Sequence, residues 1–314
     1  MYRKRILLFL IGFTLLLSYI VNIDFVELSL VFSRLSLNSI LILLGLQFLV
    51  FFLMSMRWYV IIRRYGASLW NVVRTSFIGF MVNNLTPVTY AGGEPVRALI
   101  ISRIDKVKAE KAFATVLVDL FLSLIPAILL MFVALILVFK NSLDIRFAWL
   151  LGIIAFLLAA LLVASTGLLL NRGPSLRLFK GALNIFARIK CIRRHVLIVE
   201  SKVDELFASF HKSIKLSATS TSTTFPCLAI SSLVWIFTLA RVYLTFAFLG
   251  YSIDPEVVVI VYAILVTVSF MPFLPGALGL WEWVGTGIFT YFGVPLSVSV
   301  AFVIIDRDLF YWLP

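Results

Sequence analysis

Apolar residues in this chain do not alternate with polar ones. They form continuous blocks, separated by short polar or Gly/Pro-rich interruptions. Six blocks (6–23, 39–56, 111–139, 147–170, 223–249 and 296–314) come close to the roughly 20 residues an α-helix needs to cross the hydrocarbon core of a bilayer. Each predicts a spanning helix. A transmembrane β-barrel would read instead as alternating segments of about ten residues. Two regions break the pattern. In 69–104 and again in 257–293, apolar runs too short to cross flank clusters of helix breakers. The first cluster runs Asn83-Asn84-Leu85-Thr86-Pro87 to Gly92-Gly93-Glu94-Pro95. The second is Pro272-Phe273-Leu274-Pro275-Gly276-Ala277-Leu278-Gly279. Both predict re-entrant, broken-helix elements.

Between the blocks the period changes. Phe25, Leu28, Phe32 and Leu35 recur at helical spacing among Asp24, Glu27 and Arg34, which predicts an interfacial helix over 24–38. The one long polar stretch, 171–217, carries two apolar faces at spacings of three and four. Leu176, Phe179, Leu183 and Phe186 form one; Val196, Val199, Val203, Leu206, Phe210 and Ile214 form the other. They predict two basic amphipathic helices on the membrane surface. The fold class is an all-α polytopic membrane protein: six full spans plus two re-entrant elements in an inverted repeat, forming a single integral membrane domain over residues 1–314.

Composition removes the competing classes. The chain is 62% hydrophobic and only 13% charged, about half the globular share of charge, which excludes a soluble enzyme and a disordered chain. The basic Arg3-Lys4-Arg5 before the first block resembles the start of a signal peptide. No small-x-small cleavage site follows, so the block is read as an uncleaved first span. The net charge of +12 is explained by topology. With the N-terminus, 57–111 and 171–217 on the cytoplasmic side, that side holds 22 of the 27 Lys and Arg; Arg34, Lys140 and Arg146 fall opposite. This predicts a multi-pass protein of the cytoplasmic membrane with its N-terminus inside, and leaves no call for a nucleic-acid partner. Cys191 and Cys227 read as unpaired thiols. His195 and His211 stand on a basic surface without a metal cluster, and no Walker A, Rossmann or nucleophile-elbow motif occurs. No cofactor or metal is expected.

The candidate chemistry lies at the breakers. Glu94 follows Pro87 by seven positions, and Glu282 follows Pro275 by seven. One breaker would enter from inside and the other from outside, the pattern of an inverted repeat with binding at the midplane. A half-helix starting near Pro95, and another near Gly279, would point free N–H groups at an anion such as phosphate. Arg97 falls in the first turn of the first half-helix, while Arg241 and Arg307 lie within spans, where a charge calls for a partner. Structural roles compete with binding. Glu94 could cap its own helix, Arg241 could bridge Glu282, Asp306, Arg307 and Asp308 could satisfy one another, and Asp119 could be interfacial.

These residues carry a resemblance. Arg57-Trp58, Asn83-Asn84-x-x-Pro87 to Gly93-Glu94-x-x-Arg97, Asp119, Pro272-x-x-Pro275-Gly276-x-x-Gly279-x-x-Glu282 and a final-helix Arg307 together resemble the flippase-like family named for the transmembrane region of lysylphosphatidylglycerol synthase. The family pattern has an acidic–Arg pair just before Asp119, where this chain has Thr115 and Val116. Relatives usually continue beyond the point matching Pro314, which implies a truncated chain. The resemblance implies a stand-alone relative of the flippase half of multiple peptide resistance factors, without their aminoacyl-transferase domain. The implied activity is movement of an anionic or lipid-linked headgroup between leaflets. The headgroup-binding set is then Arg57, Asn83, Asn84, Gly93, Glu94, Arg97, Asp119, Arg241, Gly276, Gly279, Glu282 and Arg307, and no catalytic residue is implied. The partner is a membrane lipid, either a phospholipid or one linked to polyprenyl-phosphate; a homo-oligomer is left open. Two alternatives stand beside it. One is a membrane glycosyl- or phosphotransferase using Asp254 and Glu256 on a polyprenyl-phosphate. The other is a non-catalytic membrane partner that docks a soluble enzyme on the basic 171–217 surface.

Overall fold

Among the described residues, four of the predicted spans form helices long and apolar enough to cross a membrane. The computed structural model describes residues 2–21, 23–85, 92–171, 173–174, 176–177, 203–269 and 279–307. Among them there is no strand, and the main helices are α1 (Tyr2–Val21), α2 (Phe25–Phe32), α3 (Leu37–Ile62), α4 (Leu69–Leu85), α5 (Gly93–Ile104), α6 (Ala109–Lys140), α7 (Ile145–Leu170), α8 (Val203–Thr219), α9 (Thr221–Phe248), α10 (Pro255–Ser269), α11 (Leu280–Tyr291) and α12 (Leu296–Ile304). The four long apolar helices are α3, α6, α7 and α9. The stretch Gly12–Val21 of α1 and helix α2 lie at 85° to each other, so they make a fifth span only if counted as one bent element. Asp24 caps the start of α2 by accepting the N–H groups of Val26 and Glu27. Pro87, Pro272, Pro275, Gly276 and Asp308, and most of the first amphipathic segment of 171–217, lie outside the described residues.

Polar contacts between helix ends sort the bundle into two ends. Arg64, just past α3, donates to the Leu216 carbonyl and to the Thr223 hydroxyl at the start of α9. At the other end Arg34, ahead of α3, donates to the Leu249 carbonyl just past α9. Helices α3 and α9 therefore run antiparallel, and they pack along their length. Asp105, which closes α5, accepts from the Ser68 N–H and from Asn71 at the start of α4. Both outer ends of the α4–α5 pair thus sit at the Arg64 end. The α10–α11 pair is anchored oppositely. Glu256 at the start of α10 meets Lys140 and Asn141, and the Tyr251 hydroxyl beside it donates to the Gly293 carbonyl after α11. In each short pair the facing helix ends, Leu85 and Gly93 in one and Ser269 and Leu280 in the other, therefore lie away from the anchored end, and the anchored ends are opposite.

One core cluster is aromatic. Phe246 of α9 stacks on Phe302 of α12 at 4.6 Å and 13°, with Phe289 of α11 against both. A second cluster, Trp58, Ile62, Val72, Ala98, Ile101 and Val116, fixes α5 between α3, α4 and α6. The outer faces of α6 and α7 expose Leu129, Phe132, Ile136, Trp149, Phe156 and Leu161, a surface suited to hydrocarbon rather than water. Helix α8 departs from the surface reading, since Ile214, Ser213 and Ser217 are buried and the helix packs on α6. Part of its apolar face meets protein instead of lipid.

Candidate functional site

Arg57 and Arg241 each lie twenty residues beyond the start of their helix, on antiparallel α3 and α9. Each pairs with an aspartate. Arg57 Nε donates to Asp119 Oδ1 at 2.6 Å, and Arg241 Nη2 to Asp306 Oδ1 at 2.8 Å. All four residues are buried. A lone buried charge is expensive, and only a well-made partner makes it tolerable. Helix burial supplies the partner: Asp119 faces inward from α6, and Asp306 sits in a π-helical turn that continues α12. Such wide turns often mark functional positions.

Around each pair a second arginine meets a glutamate at the start of a short helix. On the first side, Arg97 Nη2 donates to Asp119 Oδ2 at 2.9 Å and lies 3.7 Å from Glu94. Its guanidinium stands 4.9 Å from the Trp58 ring centroid, within the range of a cation–π contact. On the second side, Arg307 Nε donates to Glu282 Oε1 at 3.0 Å, with the Trp281 ring 5.4 Å away. The order Arg, Glu, Asp thus occurs twice. Arg57 precedes Glu94 by 37 positions and Arg241 precedes Glu282 by 41; Asp119 follows Glu94 by 25 and Asp306 follows Glu282 by 24.

The proposed Arg241–Glu282 bridge is not formed, because Arg241 reaches Asp306 and the Tyr262 hydroxyl while Glu282 takes Arg307. Asp306 and Arg307 likewise do not pair with each other; each has a partner on another helix. Asp119 is fully buried within the protein. The charged cluster forms around it although Thr115 and Val116 stand where the family pattern has an acidic–Arg pair. Thr115 instead accepts from the Trp58 indole N–H, which steadies the ring beside Arg97.

The starts of the two short helices differ. Helix α5 begins at Gly93, two residues earlier than Pro95 suggested, and Asn83 of α4 accepts the Gly93 N–H at 2.6 Å. The first-turn N–H is thereby capped from the neighbouring helix. Gly93 is required by packing. A Cβ there would lie 1.9 Å from the Gly79 carbonyl oxygen, so α4 and α5 meet backbone to backbone. Gly279 precedes α11 at φ +78°, and a Cβ there would meet Leu15 and the Gly12 carbonyl of α1. Helix α1 is fastened over this start by the Trp283 indole N–H on the Leu15 carbonyl and by Tyr19 with Thr286 at 2.7 Å.

Eight of the twelve predicted residues line one cavity of about 270 Å³: Arg57, Asn83, Asn84, Glu94, Arg97, Asp119, Arg241 and Arg307. Gly93, Gly279 and Glu282 stand outside its lining, and Gly276 lies outside the described residues. The remaining wall includes Val50, Phe51, Phe80, Leu124, Val234 and Trp281. Sequence reasoning left Asp306, Tyr262 and the two tryptophans out of the site. The available signal for Asp306 was its match to Asp119 in the repeated Arg–Glu–Asp order. Asp254 and Glu256, the acids of the transferase alternative, hold structure here: Asp254 accepts the Glu256 N–H, and Glu256 pairs with Lys140 and Asn141.

Comparison with known proteins agrees over the full length. The family described as the lysylphosphatidylglycerol synthase TM region matches residues 5–314. Relatives include a UPF0104 membrane protein of Methanothermobacter thermautotrophicus, 26% identical and covering 100% of this chain and 93% of the relative. A UPF0104 membrane protein of Pyrococcus horikoshii is also 26% identical, over 99% of this chain and 94% of the relative. One of Methanocaldococcus jannaschii is 26% identical over 99% and 92%.

Proposed function

We propose a function from one premise: the chain belongs to the lysylphosphatidylglycerol synthase transmembrane-region family. It acts as a lipid translocase that carries the anionic headgroup of a phospholipid, or a headgroup linked to polyprenyl-phosphate, between leaflets of the cytoplasmic membrane. The observation that carries this reading is the cavity, where four buried arginines reach a shared space inside an apolar bundle. Guanidinium groups hold phosphate oxygens through paired N–H donors. The apolar bundle surface keeps the acyl chains in hydrocarbon while the headgroup occupies the charged interior.

In this reading the Arg64 end of the bundle is cytoplasmic, which the distribution of Lys and Arg supports. The α4–α5 pair re-enters from that side and α10–α11 from the other, giving six spans and two re-entrant elements. Helices α5 and α11 have 12 residues each, a length of about 18 Å against a hydrocarbon core of about 30 Å. Their opposite anchoring supports an inverted repeat with its binding site between the halves.

The test is purified full-length protein in vesicles of phosphatidylcholine and phosphatidylglycerol that carry a trace of fluorescent phosphatidylglycerol. Inner-leaflet probe should move to the outer leaflet, and so be extinguished by a membrane-impermeant quencher, faster in protein vesicles than in empty ones, and Arg57→Ala with Arg241→Ala should abolish the gain. Equal rates in protein and empty vesicles, with fluorescent phosphatidylglycerol and with a polyprenyl-phosphate probe, would reject the translocase.

A further inference from the structure

Among the described residues, the two constellations contain four arginines and four carboxylates: Arg57, Arg97, Arg241 and Arg307 against Glu94, Asp119, Glu282 and Asp306. Fully ionised, they sum to zero. A phosphodiester headgroup adds one negative charge to this balanced interior, and an uncompensated charge in low dielectric is strongly disfavoured. Either the headgroup brings its own cation or one carboxylate takes a proton.

The carboxylates are held unequally. Asp119 has two arginines at 2.6 and 2.9 Å, Asp306 has Arg241 at 2.8 Å and Glu282 has Arg307 at 3.0 Å. Glu94 has Arg97 only at 3.7 Å, and that guanidinium is already bonded to Asp119. Asn83 of α4 approaches Oε1 at 3.5 Å, while buried Oε2 has no hydrogen-bond partner among the described residues. The groups facing Glu94 are Asn83 and Asn84 from α4, Asp119 from α6, Arg57 from α3 behind Asp119, and Arg97 from its own helix. Across the cavity stand Arg241, Asp306 and Arg307. Glu94 itself lines the cavity, which Glu282 does not.

Resting on the translocase reading, we propose that Glu94 is a proton site obligatorily coupled to an anionic headgroup: one proton binds its carboxylate for each phosphodiester negative charge that enters. The protonated Glu94 relieves Arg97 of one counter-charge, and the phosphate takes that place. On release both the lipid and the proton leave, so the cavity returns to balance and the loaded state carries no net charge across the membrane. Zwitterionic phosphatidylcholine brings its own cation and requires no proton.

The test is calorimetric titration of the detergent-solubilised full chain with short-chain phosphatidylglycerol, in buffers of different ionisation enthalpy, over a range of pH. Wild type should take up about one proton per lipid bound, and where Glu94 is ionised in the free protein the affinity should fall by about tenfold per pH unit. Glu94→Gln should bind without proton uptake and with a flat pH profile, while Glu94→Asp should restore uptake. Melting of each variant near wild type would tie the change to titration and not to unfolding. Binding of phosphatidylglycerol without proton uptake, uptake that persists in Glu94→Gln, or equal uptake with short-chain phosphatidylcholine would each overturn the coupling and leave the translocase standing. No binding of phosphatidylglycerol at all would overturn the headgroup reading and the coupling together.

Discussion

Asp119 is the sharpest point at which to perturb this structure. It has no solvent exposure and stands between Arg57 and Arg97 at 2.6 and 2.9 Å. Asp119→Asn keeps the size and one acceptor oxygen but removes the charge, leaving two guanidiniums against an amide. At an effective dielectric of about 20, each charge pair near 4 Å is worth about 4 kcal/mol. The desolvation of the carboxylate offsets much of that sum, and a buried pair broken on one side loses about 3–5 kcal/mol. Glu94, 3.7 Å from Arg97, supplies a replacement counter-charge for one arginine. The expected loss is therefore at the lower end, about 3 kcal/mol, or a fall in melting midpoint on the order of 10 °C. Thermal challenge of the detergent-solubilised protein, followed by size-exclusion of the survivors, measures it. Glu256→Gln, on the exposed pair with Lys140, provides the contrast and should leave the midpoint unmoved. Adding Glu94→Gln to Asp119→Asn should destabilise by more than the two single changes together, since the substitute charge is then gone. If Asp119→Asn melts with the wild type, the two arginines are not held by Asp119 and the account of the cluster fails.

Three further outcomes follow from the geometry. Gly93→Ala should lose most folded protein in membranes, because its Cβ would lie 1.9 Å from the Gly79 carbonyl oxygen, whereas Gly45→Ala meets nothing within 4 Å and should gain up to about 1 kcal/mol from helix propensity; equal yields of the two would show that α4 and α5 do not meet there. With Cys191 replaced by Ser, a cysteine at Ser142 should label from outside intact cells and one at Lys108 should not, buried Cys227 staying silent; the reverse pattern would invert the orientation. Arg57→Lys should slow lipid movement at least about tenfold while the protein still inserts. The guanidinium serves Asp119 through Nε and Ser231 through Nη1, a fork that an ammonium lacks; unchanged transport would remove Arg57 from the headgroup path.

The linear pattern was enough to establish the class of molecule. Apolar blocks of spanning length can satisfy their backbone in lipid only as helices, so α3, α6, α7 and α9 are legible from composition and length alone. The turn at Asp24 and the breaks before α5 and α11 are equally local. A side-chain cap, or a glycine such as Gly279 at φ +78°, acts on its immediate neighbours and leaves its mark in the sequence. Arg241 and Arg307 were legible for a similar reason, since an arginine in an apolar block stands out wherever it falls, whereas Arg57, Asn83 and Asn84 came only with the family resemblance.

Partnership was not legible. The sequence reading paired Arg241 with Glu282 and Asp306 with Arg307, and nothing in the spacing shows that the partners are exchanged. The choice depends on how far α12 turns before Asp306 and on which helix of the bundle lies opposite, and both are decided by packing of Phe246, Phe289 and Phe302. Asp119 lies only eight positions past Lys111, and nothing in that spacing shows what surrounds it. It is buried because α3 and α5 close over that turn of α6 and bring two arginines with them. Periodicity records which face of a helix is apolar; which helix covers it is set by long-range contact, and so is the pairing of every buried charge.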